Sequence, residues 1–203
     1  MSDYFSRLGE PRRPWLDPGA LKNKFLTLSA EAHPDRVHGG TEAEKRLAQQ
    51  RYAELNQAYQ SLRNPKERLQ HLLELETGAK PQQIQQVPAE LMEFFFEVAQ
   101  LFKQTDAFLA EKSKKSSPML QVQLFETAQD WIEKLRGLQQ QLGLRQQELA
   151  AELTRMDERW VEQEKADSRR GDMLRQLEEL YRLFSYYGKW EAQLQERIVQ
   201  LSL

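Results

Sequence analysis

The chain has 203 residues, a formal net charge of -2 and no cysteine. A near-neutral balance gives no general attraction to nucleic acid or membrane, so any basic patch must be local. Without thiols the chain cannot form disulfides, build a cysteine-bearing zinc site, use a thiol nucleophile or hold an iron–sulfur cluster through thiolates. His33, His38 and His71 are the only histidines. They show neither H-E-x-x-H nor paired-ligand spacing, so no metal site and no cofactor are expected. The length fits one large domain or two small ones. Charged residues at 30% against a hydrophobic class of 39%, with little Gly and Pro, indicate a helix-rich folded protein rather than a disordered one. The opening MSDYFSRLGEPRRPW has no apolar region of the secretory-signal kind. No run of about eighteen uncharged apolar residues is present to span a membrane. The cytoplasm is the expected location.

In chain order, Tyr4, Phe5 and Leu8 before Gly9 and two prolines predict one short helical turn closed by a loop. Asp17-Pro18 supplies an N-cap and a proline at the first helical position. Leu21, Phe25 and Leu28 then recur at spacings of four and three, predicting a helix through Ala32 with one buried stripe. Pro34 disfavours helical geometry at His33, so the helix should stop there. Gly39-Gly40 is a break, and Thr41 precedes Glu44 at capping-box spacing. The next helix carries Ala48, Tyr52, Leu55, Tyr59 and Leu62 on one face. Asn64-Pro65 opens another, with Gly78 as its stop.

The polar, proline-bounded stretch 79–88 is the expected linker between a domain at 1–78 and a second at 89–203. One helix is expected from about Ala89 to Lys112, and Ser117-Pro118 should cap the next. That helix runs from Met119 to about Glu164, with Gly143 as a point of interruption. DSRRGD forms a turn, and a last helix from Met173 carries Leu177, Leu180, Phe184, Tyr187, Leu194, Ile198 and Leu201. The spacing suits an antiparallel three-helix bundle. Its near-seven repeat also fits a longer coiled coil. The Gln-, Glu- and Arg-rich segment 139–164 reads as a solvated extension of two helices.

His33-Pro34-Asp35 has the chemistry of recognition. Proline preorganises the loop. Asp35 offers an acceptor pair suited to a partner arginine, and the His33 imidazole can donate and accept. Alone, the tripeptide could simply end a helix and cap a turn. Its setting says more. The preceding helix with Leu21, Phe25 and Leu28, then HPDR, a glycine loop, and a packing helix with Ala58, Tyr59 and Leu62 together resemble the J-domain family across residues 3–78. DYFSRLGEPRRPWLDPGALKNKF, LNQAYQSLRNPKERLQHLLEL and an appended helical bundle with a PAELMEFF segment resemble the HscB type of J-protein.

The resemblance implies an all-α, L-shaped protein with an N-terminal J domain and a C-terminal antiparallel three-helix bundle. It implies a co-chaperone that stimulates the ATPase of a DnaK/HscA-class chaperone and delivers an IscU-type iron–sulfur scaffold to it. The chain itself is then no enzyme. His33, Pro34 and Asp35 match the chaperone-contacting tripeptide, with Arg36, Lys22 and Lys24 as the accompanying basic residues. Lys22 and Lys24 could equally lie on a solvated helix face. Ala32 and Glu31 stand where aromatic and basic residues are common in the family. Some relatives carry a tetracysteine zinc module, which this chain cannot.

In the helix from Ala89, the apolar arc at about 100° per residue exceeds what core burial requires. Leu91, Phe95, Val98, Phe102 and Leu109 form its centre; Phe94, Leu101 and Phe108 widen one side, and Met92, Phe96 and Ala99 the other. Either the helix is central in the bundle or one edge binds a partner. The resemblance implies scaffold contacts at Leu91, Met92, Phe95 and Phe96, with Tyr186 on the last helix added to that surface. Phe96 and Ala99 replace the family's glutamates. His71, inside LQHLLEL, reads as a packing residue rather than a ligand. The aromatics of LFSYYGKW follow core spacing with no basic stripe, against nucleic-acid binding. Two other readings are a J-protein serving another client with no iron–sulfur role, and a coiled-coil assembly protein with a vestigial J domain.

Overall fold

The computed structural model describes residues 2–37, 39–81, 87–113, 118–163 and 170–203, without the side chains of 118–123 and 163. His38, residues 82–86 of the expected linker, Ser117 of the expected cap and residues 167–169 of the expected turn lie outside the described residues. Among those described, every regular element is helical: α1 (Tyr4–Leu8), α2 (Pro18–Glu31), α3 (Glu42–Arg63), α4 (Pro65–Thr77), α5 (Met92–Lys112), α6 (Pro118–Gln163) and α7 (Arg170–Ser202). Single 3-10 turns cover Pro34–Val37 and Ala89–Leu91. The chain divides into two compact units, Met1–Gln82 with Ala150–Tyr181, and Gln83–Leu149 with Arg182–Leu203.

Local chemistry sets the helix ends of the first unit. The Asp3 carboxylate accepts from the Phe5 and Ser6 N–H groups to start α1, and Gly9 closes it at φ 63°. Asp17 caps α2 through the Ala20 N–H. Thr41 and Glu44 form a reciprocal capping box on α3. Asn64 caps α4 through the Glu67 N–H, and Gly78 ends it at φ 75°. α2 and α3 make an antiparallel hairpin: Phe25 stacks on Tyr59 with centroids 4.2 Å apart, and just past the end of α2 the His33 ring meets Tyr52. Phe5, Leu8, Ala58, Leu62, Leu69 and Leu72 are fully buried.

The expectation of a solvated extension at 139–164 is corrected by the burial of Leu142, Leu149, Leu153, Met156 and Trp160 on α6. From residue 150 onward, that stretch belongs to the first unit. For that part of α6 the physical reason is a polar clamp around the loop that carries Arg12 to Trp15. Asp157, 2% exposed, accepts from Arg13 Nε at 3.1 Å and from the Trp15 N–H at 3.2 Å, and forms an ion pair with the Arg13 guanidinium. The Trp160 indole donates to the Arg12 carbonyl at 2.9 Å. From α4, Arg68 donates to the carbonyls of Pro14 and Leu62 at 2.7 and 2.6 Å. Burial pulls the Arg68 guanidinium down to about 10, with Asp157 opposing the shift. Arg170 at the start of α7 lies over the Trp160 ring and pairs with Glu76 at 2.8 Å. A loop full of backbone polar groups can be buried only if they are paired this way.

The second unit is a three-helix bundle. Arg145 on α6 covers Phe94 on α5, and Trp131 on α6 meets Phe108 on α5, so these helices run antiparallel. Phe94 meets Tyr187 and Trp190, Asp106 pairs with Arg197, and Lys112 donates to the Leu201 carbonyl, so α5 and α7 run parallel. Gln146 donates to Glu191 and joins α6 to α7. All the α7 residues expected in the core, Leu177, Leu180, Phe184, Tyr187, Leu194, Ile198 and Leu201, are buried. α6 continues through Gly143 without interruption. A mid-helix glycine costs about 1 kcal/mol relative to alanine, and the buried Leu142 beside it supplies an opposing packing term.

Candidate functional site

In the first unit, Pro34 stops α2, and Pro34–Val37 winds one 3-10 turn closed by the Arg36 N–H donating to the His33 carbonyl at 3.0 Å. The turn faces His33 and Asp35 toward each other. His33 Nδ1 accepts from the Asp35 N–H at 3.3 Å and lies 3.4 Å from the Asp35 carboxylate. The Tyr52 ring meets the imidazole edge-on at 5.4 Å. Asp35 itself is 89% exposed. A carboxylate held on a rigid turn and left in water keeps its acceptor sites for an incoming guanidinium. Beside it lies an open groove of about 520 Å³, lined by Leu28, His33, Arg36, Leu47 and Arg51 among others. Glu31, Glu44 and Glu54 also border the groove, so it is not uniformly basic.

The basic residues divide. Lys22 and Arg36 are exposed. Lys24 points back to the N-terminal segment, donating to the Gly9 carbonyl and pairing with Glu10 at 3.1 Å. Its charge serves the closure of the loop after α1.

In the second unit, the buried stripe of α5 is Leu91, Phe94, Val98, Phe102 and Thr105. Leu91, expected on the partner surface, is 2% exposed and therefore a core residue. It shares the buried stripe with Phe94, so the inward face is shifted toward the Phe94 side of the apolar arc. The other edge is open: Met92 is 38% and Phe96 60% exposed. Phe95 is half-buried, 5.7 Å from Phe96 and 6.4 Å from Trp190. Tyr186 lies over the same Trp190 at 5.6 Å. The tryptophan is thus a shared floor that brings Tyr186 beside the α5 edge, a juxtaposition sequence periodicity did not identify. Among the described residues, no cluster of His, Asp and Glu is arranged to hold a metal.

No family model matches the sequence. Solved structures do match it. The chaperone HscB from Vibrio cholerae aligns over 98% of this chain and 99% of its own, with a TM-score of 0.56 at 20% identity. The human co-chaperone protein HscB aligns over 96% of this chain and 81% of its own, with a TM-score of 0.59 at 18% identity. The chain has the HscB fold. The likeness covers residues of both units. Among the described residues, no helix is long and apolar enough to cross a membrane.

Proposed function

We propose that this chain is a J-domain co-chaperone of iron–sulfur cluster assembly, acting on a DnaK/HscA-class ATPase and carrying an IscU-type scaffold to it. The observation that carries the reading is the exposed Asp35 carboxylate on the rigid turn after α2, placed within an HscB fold. His33, Pro34 and Asp35 form the chaperone contact, with Arg36 and Lys22 supplying positive charge at its edge. Lys24 supports the contact indirectly, by closing the segment after α1.

Met92, Phe95, Phe96 and Tyr186 form the scaffold contact. Their exposed apolar area suits a partner with a complementary apolar surface. Leu91 contributes from beneath as packing. Holding both partners on one polypeptide raises the effective concentration of scaffold at the chaperone. The ATPase chemistry belongs to the chaperone. Cytoplasmic location, no cofactor and no direct role for nucleic acid complete the proposal.

A steady-state ATPase assay of a DnaK/HscA-class chaperone, with and without an IscU-type scaffold, tests it. Stimulation by the wild type and its loss in Asp35→Asn are the expected results. Unchanged turnover with every cognate pair tried would refute the proposal. If the chaperone is stimulated but no IscU-type protein is captured, the bundle serves another client. The exposed Phe96 is the observation favouring that second reading.

A further inference from the structure

His71 on α4 is the buried titratable group that the proposed function does not use. The residue is 6% exposed. Its Nε2 accepts from the Tyr4 N–H at 3.0 Å. Tyr4 stacks on it at 4.4 Å and Phe5 at 5.8 Å. The first N–H groups of a helix have no partner within the helix. Asp3 satisfies those of Phe5 and Ser6, and His71 satisfies that of Tyr4. A side chain distant in sequence thus completes the cap of a five-residue helix.

An acceptor at Nε2 requires the neutral imidazole. Protonation would place an N–H against an N–H and leave a charge in the buried ring. The charged groups facing the ring are Asp3 and Arg12, which pair with each other at 2.9 Å, and Glu74 on α4 itself. The two carboxylates favour the imidazolium, but burial outweighs them and Arg12 opposes them, so the ring is held below its ordinary value of 6.5.

We infer that His71 is an acid-released latch on the first turn of α1. Phe5 and Leu8 remain fully buried anchors, so acid loosens the turn at Tyr4 without expelling the helix. The loosened turn belongs to the helix that carries Arg7, which pairs with Glu54 and borders the groove beside His33. The latch is independent of the co-chaperone reading, and its test needs no chaperone.

The test is amide exchange and imidazole titration by NMR on the full chain, from about pH 7.5 to about pH 5.5, a range across which histidine titrates and ordinary carboxylates do not. Severalfold loss of Tyr4 protection, corrected for intrinsic exchange, should track the His71 titration below 6.5. The Phe5 and Ser6 amides, held by Asp3, should not follow it. In His71→Gln the amide oxygen can accept without titrating, and Tyr4 protection should stay flat. If that variant fails to fold, the wild-type titration still decides. A His71 ring titrating at or above 6.5, an insensitive Tyr4 amide, or the same acid loss in folded His71→Gln would each overturn the inference.

Discussion

The turn after α2 and the open edge of α5 solve opposite problems. The turn presents a few polar atoms at defined positions, and its components are adjacent in sequence. The α5 edge presents apolar area, and its components come from two helices meeting over Trp190. A polar contact fails when one atom is wrong, because an unmatched group loses both its bond and its solvation. An apolar contact degrades gradually with lost area. The two surfaces should therefore respond differently to substitution.

The largest effect should come from Asp35→Asn. Chaperone stimulation should fall to the basal rate while far-UV circular dichroism and the thermal midpoint stay unchanged, because the carboxylate is 89% exposed. Trp160→Ala should act on stability instead, by removing a buried indole and its bond to the Arg12 carbonyl. A loss of about 3–5 kcal/mol in urea unfolding is expected. Met92→Ser with Phe96→Ser should weaken capture of an IscU-type scaffold about tenfold, equivalent to about 1.4 kcal/mol. Stimulation by the double variant without scaffold should persist, and its stability should stay within about 0.5 kcal/mol of wild type. If instead the double variant abolishes scaffold capture outright, the contrast between graded and all-or-none surfaces fails.

Two smaller effects probe the first unit alone. The folded His71 pKa is depressed, so the unfolded chain binds more protons in this range. Its stabilising contribution is fully present above about 6.5 and declines as pH falls toward the folded-state value. Chemical unfolding across that window should show the decline, and His71→Gln should flatten it. Gly78→Ala places a Cβ at φ 75° with open space around it, so backbone strain alone should cost about 1 kcal/mol in the same assay.

The sequence was most legible where physics is local. Asp17, the Thr41–Glu44 pair and Gly78 act on neighbours within a few residues, and each appears at its expected place. The turn at His33-Pro34-Asp35 is legible for the same reason. Periodicity announced that α5 had more apolar surface than one core face needs, but not which edge remained open. It placed Leu91 in the stripe and could not distinguish core from contact, because both require the same residue types. The Arg13–Asp157 pair was invisible: its members are separated by more than a hundred positions, and a lone aspartate in a charged helix resembles its exposed neighbours. Trp160 had one readable signal, a large aromatic in heptad phase with Leu153 and Met156. That signal says a face is covered without saying by what.

The interleaving of the two units has a consequence for synthesis on the ribosome. Chain emerges from its amino end first, yet the loop carrying Arg12 to Trp15 is finished only by Asp157 and Trp160. The bundle, in turn, waits for its final stretch from Arg182. Neither unit has all of its chain until late in translation, so a product truncated before Asp157 would leave the Trp15 N–H without its acceptor and the bundle's leucines uncovered.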